Sequence, residues 1–289
     1  MTTRTPAALR ASLDARLQLL ARERGQDVNR LRRHLTFQRM LRRLDETWVV
    51  KGGYLLEARL GARARATKDL DLALAEPAED LAARLAEALD GDIDGDGFVF
   101  RVSGARSHLR DDDALGGPGA HVSVTALLAG RDFAHVRVDV VARPEEVDGG
   151  VERVILPPVV AEPGWPAVSV LAVDVSQHLA EKLHALSAID AHPRPSTRVK
   201  DLVDVVLVAD AGLVDVERLA RRLRAVFRAR DGALPPPHLP EPPAAWRADY
   251  ADLVAPYSVS ATDVTTAITL TRDLYARALG SATPTEEQQ

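Results

Sequence analysis

A short apolar segment that ends in a glycine pair constrains the fold of this chain more than any other feature. Residues 47–50 (Thr-Trp-Val-Val) have the β-branched and aromatic side chains typical of a buried strand, and Lys51, Gly52 and Gly53 follow directly. A glycine pair permits close approach of the backbone, and the N-terminus of a following helix offers free N–H groups to an anion. The segment therefore predicts a strand, a tight turn and a short helix at an anion site.

The spacing of the glycines excludes two common phosphate-binding motifs. The pattern Gly-x-x-x-x-Gly-Lys-Ser/Thr of a Walker loop is missing, and no third glycine follows at the distance of a Rossmann fingerprint. The use of lysine still favours an anion site, because only four of the 37 basic residues are lysines: Lys51, Lys68, Lys182 and Lys200. Lysine and arginine do not interchange at a tight phosphate site. Chance placement on a solvated surface is the alternative.

Acidic residues alternate with leucines in the next strand-like segment. Between residues 69 and 74 every second residue is leucine, so Asp69 and Asp71 share the other face of a predicted strand. A third acid, Asp139, lies in a second alternating segment on the same face as Arg137. Mg²⁺ prefers oxygen ligands, usually one or two carboxylates together with substrate phosphates. Two strands of one sheet would therefore assemble a one- or two-metal phosphoryl-transfer site, unless these residues form a polar outer face.

Charged residues also lie on the apolar faces of two later predicted helices. Lys182 lies one turn from Leu186 on the inward stripe of its helix, and burial of its ammonium is costly unless it meets an anion. Asp201 and Asp204 share one face of the next helix. The sequence leaves two interpretations open. Either a phosphate or nucleotide binds between the sheet and these helices, or Lys182 forms a structural ion pair with its neighbour.

The hydrophobic periodicity predicts an α+β protein with two lobes. The N-terminal lobe, residues 1–165, is predicted to be a mixed β-sheet with helices packed on it. Its predicted strands are 47–50, 69–74, 98–103, 121–128 and 134–141, and its predicted helices are 7–24, 29–45, a short helix after Gly53, and one that starts at Glu76 and Pro77.

The C-terminal lobe, residues 166–289, is predicted to be almost entirely helical. The predicted helices are 176–190, 199–210, 214–230, 244–254 and 261–279. A proline-rich connector at 234–243 cannot be helical, because proline lacks the N–H that a helix needs. The polar residues 281–289 are predicted to be disordered, and the acidic run 111–113 with the glycines after it is predicted to be a mobile loop.

Composition narrows the class of protein further. The chain has no cysteine, no apolar segment long enough for a membrane span and no signal-peptide pattern, so a cytoplasmic protein is expected. The net charge is −5, yet residues 1–45 hold eleven arginines against four acidic residues, and residues 218–230 hold six more arginines. These basic helices are either the footprint of a nucleic-acid backbone or a set of arginines whose stems cover the core.

Together these segments resemble the AbiEii/AbiGii family of toxin nucleotidyltransferases, within the polymerase-β-like nucleotidyltransferase superfamily. The family pattern Lys-Gly-Gly, followed by Arg-x-Ser/Thr-x-Asp-hydrophobic-Asp, matches Lys51, Gly52, Gly53, Arg65, Thr67, Asp69 and Asp71. The later Glu-Lys-Leu and Lys-Asp-x-x-Asp elements match Glu181, Lys182, Leu183, Lys200, Asp201 and Asp204. Asp139 stands where the superfamily places its third acid. One departure is Tyr54, which replaces the small residue common after the glycine pair.

The resemblance implies a role for each matching residue. The implied metal ligands for Mg²⁺, or for Mn²⁺ in its place, are Asp69, Asp71 and Asp139, with Asp139 completing the site or activating a 3′-hydroxyl. The implied nucleotide-binding residues are Lys51, Gly52, Gly53, Arg65, Thr67, Lys182, Lys200 and Asp201. The implied catalytic residues are Asp69, Asp71, Asp139, Lys182 and Asp204. An NTP would lie between the two lobes.

The resemblance also implies a reaction and partners. Characterised relatives are toxins that add a pyrimidine nucleotide, from CTP or UTP, to the 3′ end of tRNA and so block translation. A winged-helix antitoxin is the implied protein partner, no membrane is involved, and a monomer is expected. Two alternatives remain: the acceptor is a small molecule or a protein hydroxyl, or the chain binds nucleotide without catalysis.

Overall fold

The computed structural model describes residues 5–106, 119–142, 150–189 and 198–280. The predicted loop at 111–113 and the predicted disorder of 281–289 lie outside these residues. The described helices are α1 (Pro6–Arg24), α2 (Val28–Leu41), α3 (Gly52–Leu60), α4 (Leu81–Ala88), α5 (Val175–Ser187), α6 (Val199–Asp210), α7 (Val216–Asp231), α8 (Trp246–Val254) and α9 (Val264–Gly280). The described strands are β1 (Trp48–Lys51), β2 (Asp69–Leu74), β3 (Phe98–Arg106), β4 (Gly119–Leu128), β5 (Arg131–Ala142), β6 (Val151–Ile155) and β7 (Ser169–Val173).

The strands form one mixed sheet, which confirms the α+β prediction. Their order is β3-β4-β5-β2-β1-β7-β6. The central pair β1 and β2 is antiparallel, and each of these strands has a parallel neighbour on its other side, β7 beside β1 and β5 beside β2. The remaining pairs are antiparallel. The helices α5 to α9 follow the last strand along the chain.

Local sequence signals explain where several helices begin and end. The hydroxyl of Thr5 accepts a hydrogen bond from the N–H of Ala8, Pro6 occupies the first turn of α1, and Gly25 ends the helix in the left-handed conformation. The prediction that a helix starts at Glu76 and Pro77 is wrong. Instead α4 begins at Leu81, because the carboxylate of Asp80 accepts from the N–H of Ala83 and caps the helix there.

The sequence analysis missed two strands, β6 and β7. The side chains of β6 do not alternate between buried and exposed, since this strand forms an edge of the sheet and Ile155 is 69% exposed. The five residues of β7 follow a proline-rich stretch and lie after residue 165, in the part predicted to be helical. The division of the chain into lobes at residue 165 stays a prediction, and β7 shows that the sheet continues beyond it.

The helix α3 contributes to two separate hydrophobic cores. Leu56 and Leu60 pack with the buried side chains of α5 to α9. Tyr54 and Leu55 pack instead with the sheet and α2. A third, smaller core lies between α1, α2 and the β3–β4–β5 side of the sheet. The glycine turn that starts α3 is therefore held between the sheet and the helical part of the protein.

Ion pairs join the acidic segment at residues 90–97 to the C-terminal end of α2 and to the two residues that follow it. Asp96 is fully buried and lies 2.6 Å from Nε of Arg39 and 2.8 Å from a guanidinium nitrogen of Arg43. Asp94 accepts from Arg39 and Arg42. These carboxylates therefore have a structural role, because they form ion pairs with arginines of another segment. Among the described residues, no helix is long and apolar enough to cross a membrane.

Truncation of a leucine in the central strand should destabilise the sheet. Leu72 on β2 is fully buried, and Leu72→Ala is expected to lower the free energy of unfolding by about 2–5 kcal/mol, since a cavity remains. Leu213→Ala is the matched control, because Leu213 is 41% exposed and its truncation should cost less than about 0.5 kcal/mol. Urea unfolding followed by circular dichroism measures both. Equal losses would contradict the placement of Leu72 in the core.

Candidate active site

Strand register places four charged or titratable side chains in one row across the sheet. Lys51 pairs with Asp71 across β1 and β2, Asp71 pairs with Asp139 across β2 and β5, and Asp139 pairs with His121 across β5 and β4. Directly paired residues of neighbouring strands share a face of the sheet. The row therefore brings Lys51, Asp71 and Asp139 together, and Asp69 lies two residues before Asp71 on the same face.

The glycine turn packs directly against Asp71. Gly52 has a φ of +70°, and a Cβ atom added there would lie 1.8 Å from Oδ2 of Asp71. A Cβ at Gly53 would lie 3.0 Å from Oγ1 of Thr67. Glycine is therefore required at position 52 both for its left-handed conformation and for the close approach of the turn to the acidic strand. The carboxylate occupies the space that a side chain at this position would need.

The surroundings of Asp71 disfavour its ionised form. Burial, which has the largest effect, and the neighbouring carboxylates of Asp139 and Asp69 together raise the pKa of Asp71 to about 6, against the opposing effect of Lys51 and Lys182. A carboxyl group that is costly to ionise beside another carboxylate is a place where a cation is favoured. The row thus has the electrostatic character expected of a cation site.

The other two acids of the predicted trio have cationic or imidazole partners. Asp69 lies 2.6 Å from a guanidinium nitrogen of Arg137, and Asp139 lies 2.7 Å from Nδ1 of His121. In the part of the chain that the structure describes, no group of three or more His, Cys, Asp or Glu side chains is arranged to hold a metal ion. The oxygen donors of Asp71 and Asp139 still suit Mg²⁺, which usually takes one or two protein carboxylates.

Helices α5 and α6 supply a second charged cluster. Nζ of Lys182 lies 2.8 Å from Oδ1 of Asp201 and 2.8 Å from Oδ2 of Asp204. Although burial acts to lower it, these two carboxylates raise the pKa of Lys182 above its usual range. The structural ion pair that the sequence left open is therefore present. Lys182 also lies near enough to Asp71 to influence its pKa.

Arg65 connects this cluster to the segment that leads into β2. Its guanidinium donates to both oxygens of Asp204, at 3.2 Å and 3.1 Å. Burial acts to raise the pKa of Asp204, but Lys182 and Arg65 lower it to about 2. The geometry is the bidentate fork that makes arginine a strong carboxylate partner. The matching residues Arg65, Lys182, Asp201 and Asp204 thus form one connected network.

Glu181, which lies beside Lys182, was not among the predicted site residues. Its Oε2 lies 2.8 Å from Nζ of Lys51, and its Oε1 accepts from Nε2 of Gln177 at 3.0 Å. Burial acts to raise the pKa of Glu181, yet Lys51 and Arg230 lower it to about 2. The sequence signal was available in the Glu-Lys-Leu element, but the acidic member reaches Lys51 only in the tertiary structure, where β7, the strand before α5, lies parallel to β1.

The remaining predicted residues take different positions. Thr67 is buried, and its N–H donates to the carboxylate of Glu57, which also lies 2.9 Å from Arg30 and from His34. Lys200 is exposed on α6. Residue 54, where the chain departs from the family pattern, turns its side chain into the core between α2 and α3.

The ring of Tyr54 therefore does not project from the glycine turn into the row. Its centroid lies 5.0 Å from that of Phe37 and 5.4 Å from that of His34. Only 3% of Tyr54 is exposed. The departure from the family pattern at Tyr54 therefore affects the packing of the core between α2 and α3.

The N-terminal arginines are largely used inside the protein. Seven of them donate to carboxylates or backbone carbonyls of other segments: Arg10, Arg16, Arg30, Arg32, Arg39, Arg42 and Arg43. For these residues the contacts favour a structural role. On α7, Arg221 and Arg228 are exposed, while Arg218 lies 2.9 Å from Asp174 and Arg230 lies 3.8 Å from Glu181.

The fold is similar to that of a known nucleotidyltransferase toxin. The structure of MenT4, a nucleotidyltransferase toxin from Mycobacterium tuberculosis, is similar to this one with a TM-score of 0.51 and 18% identity, over 98% of this chain and 88% of that chain. JHP933 from Helicobacter pylori is 15% identical over 85% of this chain and 90% of that chain, with a TM-score of 0.45. No curated protein is significantly similar in sequence.

A family model assigns the chain more closely. The model described as "Nucleotidyl transferase AbiEii toxin, Type IV TA system" matches residues 36–274. The chain therefore belongs to the AbiEii family of nucleotidyltransferase toxins of type IV toxin–antitoxin systems. This confirms the resemblance on which the sequence analysis relied. The matched range includes both the acidic row on the sheet and the charged residues of α5 and α6.

Substitution of Gly52 should damage the site beyond the cost of backbone strain. Gly52→Ala is expected to lower the free energy of unfolding by about 1–2 kcal/mol for the left-handed conformation and by a further 1–3 kcal/mol or so for overlap with Asp71. Gly25→Ala is the matched control, since Gly25 has a φ of +60° and no atom within 4 Å of the added Cβ. Urea unfolding compares the two. An equal loss would show that Gly52 does not pack against Asp71.

Removal of the Asp71 charge should stabilise the folded protein when the pH is above the pKa of this group. Because its folded-state pKa of about 6 exceeds the ordinary 3.8, Asp71 favours folding in its protonated form, and this contribution is lost as the pH rises through about 6. The metal-free Asp71→Asn protein is therefore expected to be more stable than the unaltered protein above about pH 7, by at most about 3 kcal/mol, with no difference below about pH 4.

Thermal melting in EDTA at several pH values measures this difference. Asp252→Asn is the control, because Asp252 is exposed on α8 outside the row, so this substitution should not reproduce the gain in stability. A variant at position 71 that is less stable than the unaltered protein at neutral pH would show that Asp71 is stabilised as an anion.

Proposed function

We propose that this protein transfers a nucleoside monophosphate from an NTP to the 3′ end of tRNA in a Mg²⁺-dependent reaction. The pairing of Asp71 with Asp139 beside Lys51 and the glycine turn is the observation that carries the proposal. It puts two carboxylates, one of them costly to ionise, next to a lysine and the N-terminus of α3. Such an arrangement suits a divalent cation that bridges the protein and a polyphosphate.

The carboxylates would hold the cation. Asp71 and Asp139 are the proposed ligands, with Asp69 joining them if it exchanges Arg137 for the cation. Mg²⁺, or Mn²⁺ in its place, would supply charge neutralisation at the transferred phosphoryl group. A cation on Asp71 would also relieve the repulsion that raises the pKa of this group. His121 holds the carboxylate of Asp139 in place on the outer side of the row.

The nucleotide would lie between the sheet and α5–α6. Lys51 and Arg65 approach this region from the sheet side, and Lys182 approaches it from α5. Each of these cations has a carboxylate partner in the structure, so each is already oriented by an ion pair. The glycines and Thr67 shape the turn beneath the phosphates, and Asp201 and Asp204 fix the direction of Lys182. Lys200, which is exposed, would contact the nucleotide or its acceptor from the N-terminal end of α6.

The acceptor is proposed to be tRNA, with a pyrimidine nucleotide as the donated group. The exposed Arg221 and Arg228 lie on the same helix as Arg230, which reaches Glu181 beside the row. A phosphate backbone that follows α7 would therefore lead towards the acidic row. We further propose a cytoplasmic monomer, whose partner in the toxin–antitoxin system is an antitoxin of the winged-helix type.

Transfer of label from an NTP to tRNA tests this function. The purified protein is incubated with bulk tRNA, Mg²⁺ and each labelled NTP in turn, and label should enter tRNA from CTP or UTP. Asp69→Ala/Asp71→Ala should lower the rate by at least about a hundredfold, because the cation loses ligands. Asp249→Ala/Asp252→Ala is the matched control, since both residues are exposed on α8, and its rate should be unchanged.

The outcomes separate the competing functions. Arg221→Gln/Arg228→Gln should slow the labelling of tRNA if α7 binds the acceptor. Full activity of that variant, together with label in a small molecule or a protein of a cell extract, would favour another acceptor on the same site. Absence of transfer from every NTP to tRNA or extract would favour a protein that binds nucleotide without catalysis.

A further inference from the structure

The carboxylate of Glu181 forms an ion pair with Lys51, the lysine that is proposed to bind the nucleotide phosphates. Its carboxylate lies 2.8 Å from Nζ of Lys51 and is 14% exposed, so the pair is mostly shielded from water. Gln177 donates to the other oxygen at 3.0 Å, and a guanidinium nitrogen of Arg230 lies 3.8 Å away. Two groups, Gln177 on the same helix and Arg230 on α7, therefore hold Glu181 in the position from which it contacts Lys51.

Lys51 is the cation at the junction of β1, the glycine turn and α3. It directly precedes the helix N-terminus, and its strand partner is Asp71. A polyphosphate at this turn would meet the free N–H groups of α3 and the ammonium of Lys51 together. The same polyphosphate would be repelled by Glu181, whose pKa is lowered to about 2, so that it is ionised at neutral pH.

We infer that Glu181 competes with the nucleotide for Lys51. Its carboxylate pairs with the ammonium until a polyphosphate displaces it, and we call this competing ion pair the gate. This inference rests on the proposed function of the row. The gate keeps the ammonium of Lys51 neutralised and oriented when no nucleotide is bound. A ligand with several phosphate charges can replace the Glu181 carboxylate at Lys51. An uncharged nucleoside cannot, because it has no negative group that would pair with the ammonium. Glu181 is thus a positioning residue that acts through Lys51.

Glu181→Gln tests the gate, because it removes the charge and keeps the shape. Isothermal titration with the α,β-methylene analogue of each of the four NTPs, in the presence of Mg²⁺, gives the dissociation constants without transfer. The affinity of Glu181→Gln should be higher than that of the unaltered protein, by about fivefold, because the ligand no longer has to displace the carboxylate of the Lys51–Glu181 ion pair. Glu217→Gln on the exposed side of α7 is the matched control and should bind as the unaltered protein does.

Two comparisons distinguish a gate from a merely structural residue. The gain should decrease in the order triphosphate, diphosphate, monophosphate and nucleoside, because the removed repulsion scales with the ligand charge. In a Lys51→Gln background, Glu181→Gln should produce a clearly smaller gain, because the competition for Lys51 is already removed and only the direct repulsion of the ligand by Glu181 remains. Gln177→Leu, which frees one oxygen of Glu181, should shift affinity in the same direction by a smaller factor and serves if Glu181→Gln does not fold.

Each outcome decides between the two proposals. Binding of an analogue by the unaltered protein that Glu181→Gln leaves unchanged or weakens would overturn the gate and leave the proposed function standing. Binding of none of the four analogues by the unaltered protein would overturn the proposed function and the gate with it. A gain of equal size for nucleoside and triphosphate would show that Glu181 shapes the pocket without competing for Lys51.

Discussion

The close approach of the glycine turn to β2 is the constraint on which the rest of the site depends. Asp71 fills the space beside Gly52 and has Asp139 as its partner on the next strand, so its carboxyl group lies close to both neighbours. A negative charge in this position is costly, and burial and Asp139 together raise the pKa of Asp71 to about 6. The charged residues around the row can be understood as the cationic surroundings that such a position requires.

These cations come from both the sheet and the helices, and each is bound by a carboxylate of the helical part. Lys51 is held by Glu181, and Arg65 is held by Asp204, so two ion pairs join the sheet side of the site to α5 and α6. The hydrophobic contacts of α3 join the same two parts of the protein, because Leu56 and Leu60 belong to the helical core while Leu55 belongs to the sheet core. The glycine turn is consequently held by the hydrophobic packing of α3, which follows it, and by the ion pair between Glu181 and Lys51, which precedes it.

Much of the fold followed from local patterns, and the exceptions have physical reasons. The alternation of leucine with Asp69 and Asp71 predicted β2 and the shared face of the two acids, since a strand has a period of two. Strand β6 escaped prediction because an edge strand needs no alternation. Strand β7 escaped because five residues after a proline-rich stretch carry little periodicity. The start of α4 was predicted too early because Asp80, the residue that caps it, was not recognised as the cap.

The sequence by itself determined the family, the α+β class and the residue types of the candidate site, because these depend on spacings of a few residues that strand and helix geometry fix. Tertiary structure decided the pairings. Only the sheet order places Asp139 beside Asp71 and His121 beside Asp139. Only the pairing of β7 with β1 brings α5, and with it Glu181, to Lys51, and only the fold of the N-terminal segment gives seven of its arginines internal partners. Such contacts join residues far apart in the chain, and nothing in the local sequence specifies them.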